Sequence, residues 1–240
     1  MKKLLSALVV LLSLQTAEAQ VKEGKITFEQ TVDMYRRIPA DNQQMRSMVP
    51  QFRTSKFELL FGDNQCLFKA IEEEPDMSEQ NNGGVVIRIG AGADNEYYKN
   101  FNTKRAVESR ELMQEMYLVD DSLRSISWKL EDGETKTILG YTCKKATGKT
   151  ERGSDIVAWY CEEIPVAAGP DQFNGLPGMI LGIDANKGEI VFTAVSLDKK
   201  ADIKKIKAPT KGKKMTNAEF VAKQKELFGN QPGGIRIVNN

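Results

Sequence analysis

From Gly24 to Tyr35 apolar and polar positions alternate, with Ile26, Phe28, Gln30, Val32 and Met34 against Lys25, Thr27, Glu29, Thr31 and Asp33. A period of two marks a strand with one buried face. Pro39 ends it, and Gln43–Met48 suits a short helical turn. Phe57–Phe61 and Cys66–Glu72 flank Gly62-Asp63-Asn64-Gln65, which predicts a hairpin with a longer loop. Glu72–Gly84 reads as a mobile acidic loop and Val85–Ile89 as a short strand. Strands are then predicted over 96–102, 104–112, 115–120, 125–130, 136–139, 141–149, 156–163, 179–184 and 189–197. Asp132-Gly133 and Asn186-Lys187-Gly188 are turn signals, and Pro165–Pro177 is a long loop. Thr216 and Glu219 form a capping box that opens a helix. Phe220, Val221, Gln224, Leu227 and Phe228 share its apolar face, and Gly229 stops it. Many short strands and one terminal helix predict a mainly β fold, a large curved antiparallel sheet or incomplete barrel with a C-terminal α-helix.

The first residues follow a different pattern. Lys2 and Lys3 precede a run from Leu4 to Leu14 broken only by Ser6 and Ser13, and Ala17-Glu18-Ala19 is a small-x-small cleavage site. This is the layout of a secretory signal peptide, too short for a membrane span. Residues 1–19 are the expected leader, 20–230 a single β-rich domain and 231–240 a flexible tail. Cleavage after Ala19 would leave Gln20 first, with no cysteine to carry a lipid. The expected location is the periplasm or the periphery of the outer membrane, with no later membrane span.

Charge and composition narrow the chemistry. The chain is 40% apolar, carries a formal charge of +1 and has no histidine. Near-neutrality in an exported chain argues against a nucleic-acid partner. Without imidazole there is no Ser-His-Asp or Cys-His centre and no histidine-ligated zinc site, so no metal or other cofactor is expected. Acid–base work would fall to carboxylates, Lys, Tyr or Cys. Glu162, Glu163 and Asp171 lie close in sequence, the minimum for glycosidase-type chemistry, but 28% charged residues make such proximity ordinary. Eight lysines between Lys199 and Lys214 read either as a contact for anionic lipid headgroups or as a solvated edge strand guarded by Lys and Pro209. Trp128, Trp159 and Tyr97-Tyr98 occupy strand positions and suit core packing.

Three cysteines leave one odd. If Glu151-Arg152-Gly153 closes a hairpin, Thr150 opposes Ser154, Trp159 opposes Lys145 and Cys161 opposes Cys143. A Cys143–Cys161 disulfide is then expected, worth about 3 kcal/mol by chain entropy, with Cys66 left as a buried thiol. A one-residue slip would instead set Cys143 against Glu162.

The most distinctive segments are Gly140–Ala146, Ala158-Trp159-Tyr160, Glu163-Ile164-Pro165, Gly169-Pro170, Phe173, and Gly175-Leu176-Pro177-Gly178-Met179-Ile180 after Asn174. Tyr98–Phe101, Glu108–Glu111 and Trp128-Lys129-Leu130 belong with them. Their order and spacing resemble the GLPGLI family of exported Bacteroidota proteins, with Met179 where the family name has leucine. The resemblance implies export and no assigned activity, and it transfers no catalytic residue.

Read directly, Gly175–Gly178 is a stiff turn that delivers Met179 into a strand. Phe173, Leu176, Pro177 and Met179 are the candidate binding residues, either as an apolar rim for a ligand or partner or, folded inward, as a plug for the sheet core. The expected function is non-enzymatic ligand or partner binding in the cell envelope, as a carrier or outer-membrane accessory, with an apolar ligand or envelope protein as partner. A carboxylate-dependent hydrolase is the alternative.

Overall fold

The computed structural model describes residues 20–71, 95–150 and 153–228. The expected leader, the loop and strand expected over 72–89, the Gly229 stop and the tail 231–240 lie outside the described residues.

Among the described residues, twelve strands form one open, curved sheet. They are β1 (Gly24–Asp33), β2 (Phe52–Gly62), β3 (Gln65–Ala70), β4 (Glu96–Asn100), β5 (Arg105–Leu112) and β6 (Glu115–Ser122). There follow β7 (Lys129–Ile138), β8 (Tyr141–Lys149), β9 (Asp155–Cys161), β10 (Met179–Ala185), β11 (Ile190–Asp198) and β12 (Lys213–Met215). Helix α1 is Gln43–Met48 and α2 is Asn217–Phe228. The order across the sheet is β12-β6-β5-β4-β3-β2-β1-β11-β10-β9-β8-β7, two antiparallel meanders joined where β1 pairs with β11. Among the described strands only β12, beside β6, is parallel to its neighbour.

This order dictates the curvature. β6 and β7 stand ten strand spacings apart, about 48 Å on a flat sheet. The six residues 123–128 that join them span at most about 25 Å. The sheet must therefore curl until its two ends approach, with the connection crossing the mouth. Ser125–Leu130, expected as a strand, is for most of its length this crossing. Asp132-Gly133 is not a turn between two strands but lies in a register irregularity within β7, where Gly133 has φ +89.

The concave face holds the main core. Phe28, Phe57, Phe68 and Phe192 interlock there, with Phe57 stacked on Phe68 at 5.0 Å and the other pairs edge-on. The β2–β3 hairpin is tighter than expected. Asp63 and Asn64 both take positive φ and Gly62 pairs with Gln65, a two-residue turn that matches strand twist. The α2 capping box forms as predicted: Glu219 N–H donates to Thr216 Oγ1 at 3.2 Å and Thr216 N–H to Glu219 Oε2 at 2.7 Å. Phe220 anchors the helix against Leu112, Tyr117 and Val119, with the Arg110 guanidinium 4.1 Å over its ring. Val221 is 41% exposed, so the buried stripe is narrower than the sequence pattern suggests.

Candidate functional site

The segment between β9 and β10 turns inward and fills the bowl. Phe173, Leu176 and Met179 are at most 3% exposed, whereas Pro177 and Gly175 face solvent. The three apolar candidates thus sit inside the core, Phe173 edge-on to Phe192 at 6.3 Å, and only Pro177 is at the surface. The loop is wired to itself by Gly175 N–H to Ala167 O at 3.0 Å and Gly178 N–H to Leu176 O at 2.8 Å. It is wired to its flanks by Met179 N–H to Ile164 O at 2.9 Å and Ile180 N–H to Ala168 O at 2.8 Å.

Strand side chains hold it from the opposite wall. Lys99 of β4 is 3% exposed, and its ammonium donates to the carbonyls of Phe173 at 3.0 Å and Gly169 at 3.3 Å. Burial pulls its pKa down from the ordinary lysine value, while Cys66, Asp171 and Glu108 oppose the shift. Glu108 of β5 stands opposite Tyr97 of β4 and is 5% exposed. It accepts from Arg124 and lies 3.6 Å from the Arg110 guanidinium. Arg124, on the crossing segment, also donates to Gln172 at 3.4 Å and to Asn217 at the start of α2 at 3.5 Å. Asp171 has a left-handed φ of +48. Burial raises its carboxyl above the usual range, reinforced by Glu108 and opposed by Lys99. Trp128 Nε1 donates to Asn174 O at 2.8 Å, pinning the loop from the mouth side.

Period-two geometry explains why these groups converge. Tyr97 and Lys99 point to one face of β4, and pairing sets Tyr97 against Glu108, which shares a β5 face with Arg110. The sequence marks Tyr98–Phe101 and Glu108–Glu111 only as segments with no assigned chemistry, and Trp128 only as a core-packing residue. Lys99, Glu108 and Trp128 from those segments all act on this loop or on the arginine beside it.

Beside the loop runs a groove of about 530 Å³. Its walls are Arg124–Ser127 and Lys129 on one side, Thr147–Thr150 and Asp155 on another, and Gln172 with Phe173 at the loop. Lys149 is paired with Asp155 at 2.7 Å and Lys129 with Glu131 at 3.1 Å. A second, more polar cleft of about 560 Å³ lies among Lys22, Asp63, Asn64, Asn102, Pro165 and Val166.

The other sequence candidates separate. Glu162 and Glu163 are exposed on the turn after β9, with Glu162 paired to Lys144 at 2.6 Å, whereas Asp171 is half-buried on the loop, under the electrostatic influence of Glu108 and Lys99. The β8–β9 register is the one the hairpin reading requires: Lys145 opposes Trp159 and Thr147 opposes Val157. One step beyond the last ladder pair, this register sets Cys143 against Cys161. In the structure both are buried free cysteines, as is Cys66. The Cys143 thiol donates weakly to Tyr141 O at 3.8 Å, and burial pushes it up to about 12. Trp159 is partly buried against the core, with the Lys136 ammonium 5.9 Å from its ring.

Residues 149–182, a stretch containing the whole loop, match the family model described as a protein of unknown function, Porph_ging. A comparison with curated proteins gives no match. Among solved structures the chain is similar to PNGF-II in two crystal forms, at TM-scores of 0.54 and 0.53 and 15% and 16% identity. The alignments cover 84% and 83% of this chain but 32% of PNGF-II. The likeness is one of fold, and the chain spans about a third of the length of PNGF-II.

Proposed function

We propose that this chain is an exported, non-enzymatic cell-envelope protein of the GLPGLI type, whose anchored loop presents the adjacent groove to a partner protein or ligand. The observation that carries the reading is the convergence on one loop of Lys99 from β4, Trp128 from the crossing segment, and Arg124 of that segment held by Glu108 of β5. Such bracing makes the surface between Gln172 and Pro177 and the groove beside it a pre-organised platform, which reduces the ordering cost of binding. Phenylalanine rings and the loop fill the bowl, so an occupant has its place in the groove rather than inside the sheet. The hydrolase alternative draws less support, because Glu162 and Glu163 stand on an exposed turn and Asp171 lies within electrostatic reach of Lys99.

Export is tested by the mass of the protein recovered from its own cells, which is expected to begin at Gln20 without lipid. A mass that includes residues 1–19 overturns that part of the reading. The groove is tested with Ser127→Arg, an exposed position on its wall. Protein purified from native envelopes is expected to retain a stoichiometric component that the variant loses at an unchanged melting temperature. Equal retention by both proteins overturns the assignment of the groove.

A further inference from the structure

The segment from β11 into β12 carries the largest concentration of positive charge in the chain. Lys199, Lys200, Lys204, Lys205, Lys207, Lys211, Lys213 and Lys214 are all exposed, and Asp202 is the one carboxylate among them. Residues 199–214 thus carry a formal +7 in a chain whose total is +1. Edge protection accounts for little of this, because only Lys213–Met215 is edge strand. The remainder is a strap laid across the sheet face opposite the phenylalanine core. Ile203 lies over Gly62 at the end of β2. Ile206 and Ala208 pack on Leu67, Tyr98, Val107 and Leu118, one outward residue from each of β3, β4, β5 and β6. With Ile203, Ile206, Ala208 and Pro209 turned toward the sheet, the lysines between them face away from it.

The neighbouring carboxylates leave most of this charge uncompensated. Lys213 pairs with Glu115 at 2.7 Å, and Lys199 lies 6.0 Å from the Tyr141 ring. Asp202 uses its carboxylate to cap Lys204 N–H at 3.1 Å, and Asp120 is taken by Arg105 at 2.6 Å. Among the described residues, no carboxylate lies within ion-pair distance of Lys200, Lys204, Lys205, Lys207, Lys211 or Lys214.

We infer that this strap is a docking surface for an anionic bilayer, with its lysines held against phosphate-bearing headgroups. Charge complementarity selects the occupant, and the extended layout suits a broad charged plane, since the strap runs from the end of β11 to the far edge of the sheet. None of the large exposed apolar side chains lies within 199–214, so the contact is electrostatic and reversible by salt rather than inserted. The inference does not depend on the groove.

The test is co-sedimentation of the purified protein with vesicles of phosphatidylglycerol in phosphatidylcholine, against vesicles of phosphatidylcholine alone. Binding to the anionic vesicles is expected, with release as salt is raised. The triple variant K204Q/K205Q/K207Q should bind about a hundredfold more weakly, roughly fivefold for each lysine removed, and melt like the parent protein. K204R/K205R/K207R should retain binding, since headgroup attraction needs the charge and not the amine. Equal binding to neutral vesicles, undiminished binding by the glutamine variant, or no binding to either vesicle overturns the proposal. So does a duplex oligonucleotide bound as tightly as the anionic vesicles at the same salt, which would make the strap a general polyanion site.

Discussion

Gly178→Ala is expected to be among the most damaging single substitutions in this chain, with a loss of more than about 4 kcal/mol. Gly178 has φ +156, and a Cβ there would lie 2.1 Å from the carbonyl oxygen of Cys161, 2.6 Å from its carbon and 3.0 Å from Glu162 Cα. All three atoms are backbone, so no side-chain rotation relieves the overlap. The neighbouring pair Met179–Cys161 begins the β9–β10 ladder, so relief must come from opening the sheet where the loop enters it. Against a total stability of about 5–15 kcal/mol, such a loss leaves little folded protein at physiological temperature. Gly175→Ala is the control. It lies in the same turn at φ +91, but its nearest neighbour would be Trp128 Nε1 at 4.0 Å, so only left-handed strain of about 1 kcal/mol is expected. Thermal melting of both variants decides the matter. Similar losses would show that strain, and not the contact with β9, fixes glycine at position 178.

Lys99→Met should cost about 1–3 kcal/mol, the range for leaving a buried polar group without its hydrogen-bond partner. The side chain that replaces it fits the space without an ammonium. The carbonyls of Gly169 and Phe173 then lose their donor, and Asp171 loses a cation that opposes the rise in its pKa. The damage should be centred on the loop. Trp128 and Trp159 are the only tryptophans in the chain, and Trp128 is held by Asn174 in that loop. In a Trp159→Phe background, loosening of the loop should therefore appear as a red shift of Trp128 emission below the global unfolding transition. A loss under about 1 kcal/mol, the size of a surface ion pair, would show that the Lys99 contacts contribute nothing beyond burial of its methylene stem.

Local chemistry made much of the fold legible in the sequence. The alternation from Gly24 onward became β1, Gln43–Met48 became α1, and the capping box at Thr216 opened α2. The 141–149 strand appeared with its predicted limits, and its register with β9 followed from one three-residue turn. These features depend on neighbours in sequence, so a period or a cap is enough to specify them. The turn at Asp63-Asn64 is shorter than its sequence suggests, because Gly62 and Gln65 on its flanks suit longer loops equally well. β7 was divided because Asp132-Gly133 carries the same dipeptide whether it turns the chain or bulges a strand.

The candidate site was not legible, and tertiary structure supplies the reason. β3 to β6 are covered on both faces, by the inward loop and α2 on one side and the lysine strap on the other. Alternation therefore fades there: Leu67 and Phe68, and likewise Val107 and Glu108, are buried at consecutive positions. A charged residue in such a strand gives no sign of whether it faces water or a buried counter-charge. Glu108 finds Arg124 and Lys99 finds the loop carbonyls only because a six-residue connection draws the two ends of the sheet together. The sequence by itself determined the strands, the turns that space them and the stiffness of the Gly-Leu-Pro-Gly segment. Which residues brace that segment, and that its apolar side chains fill the bowl instead of rimming it, was decided by closure of a sheet whose partners lie far apart in sequence.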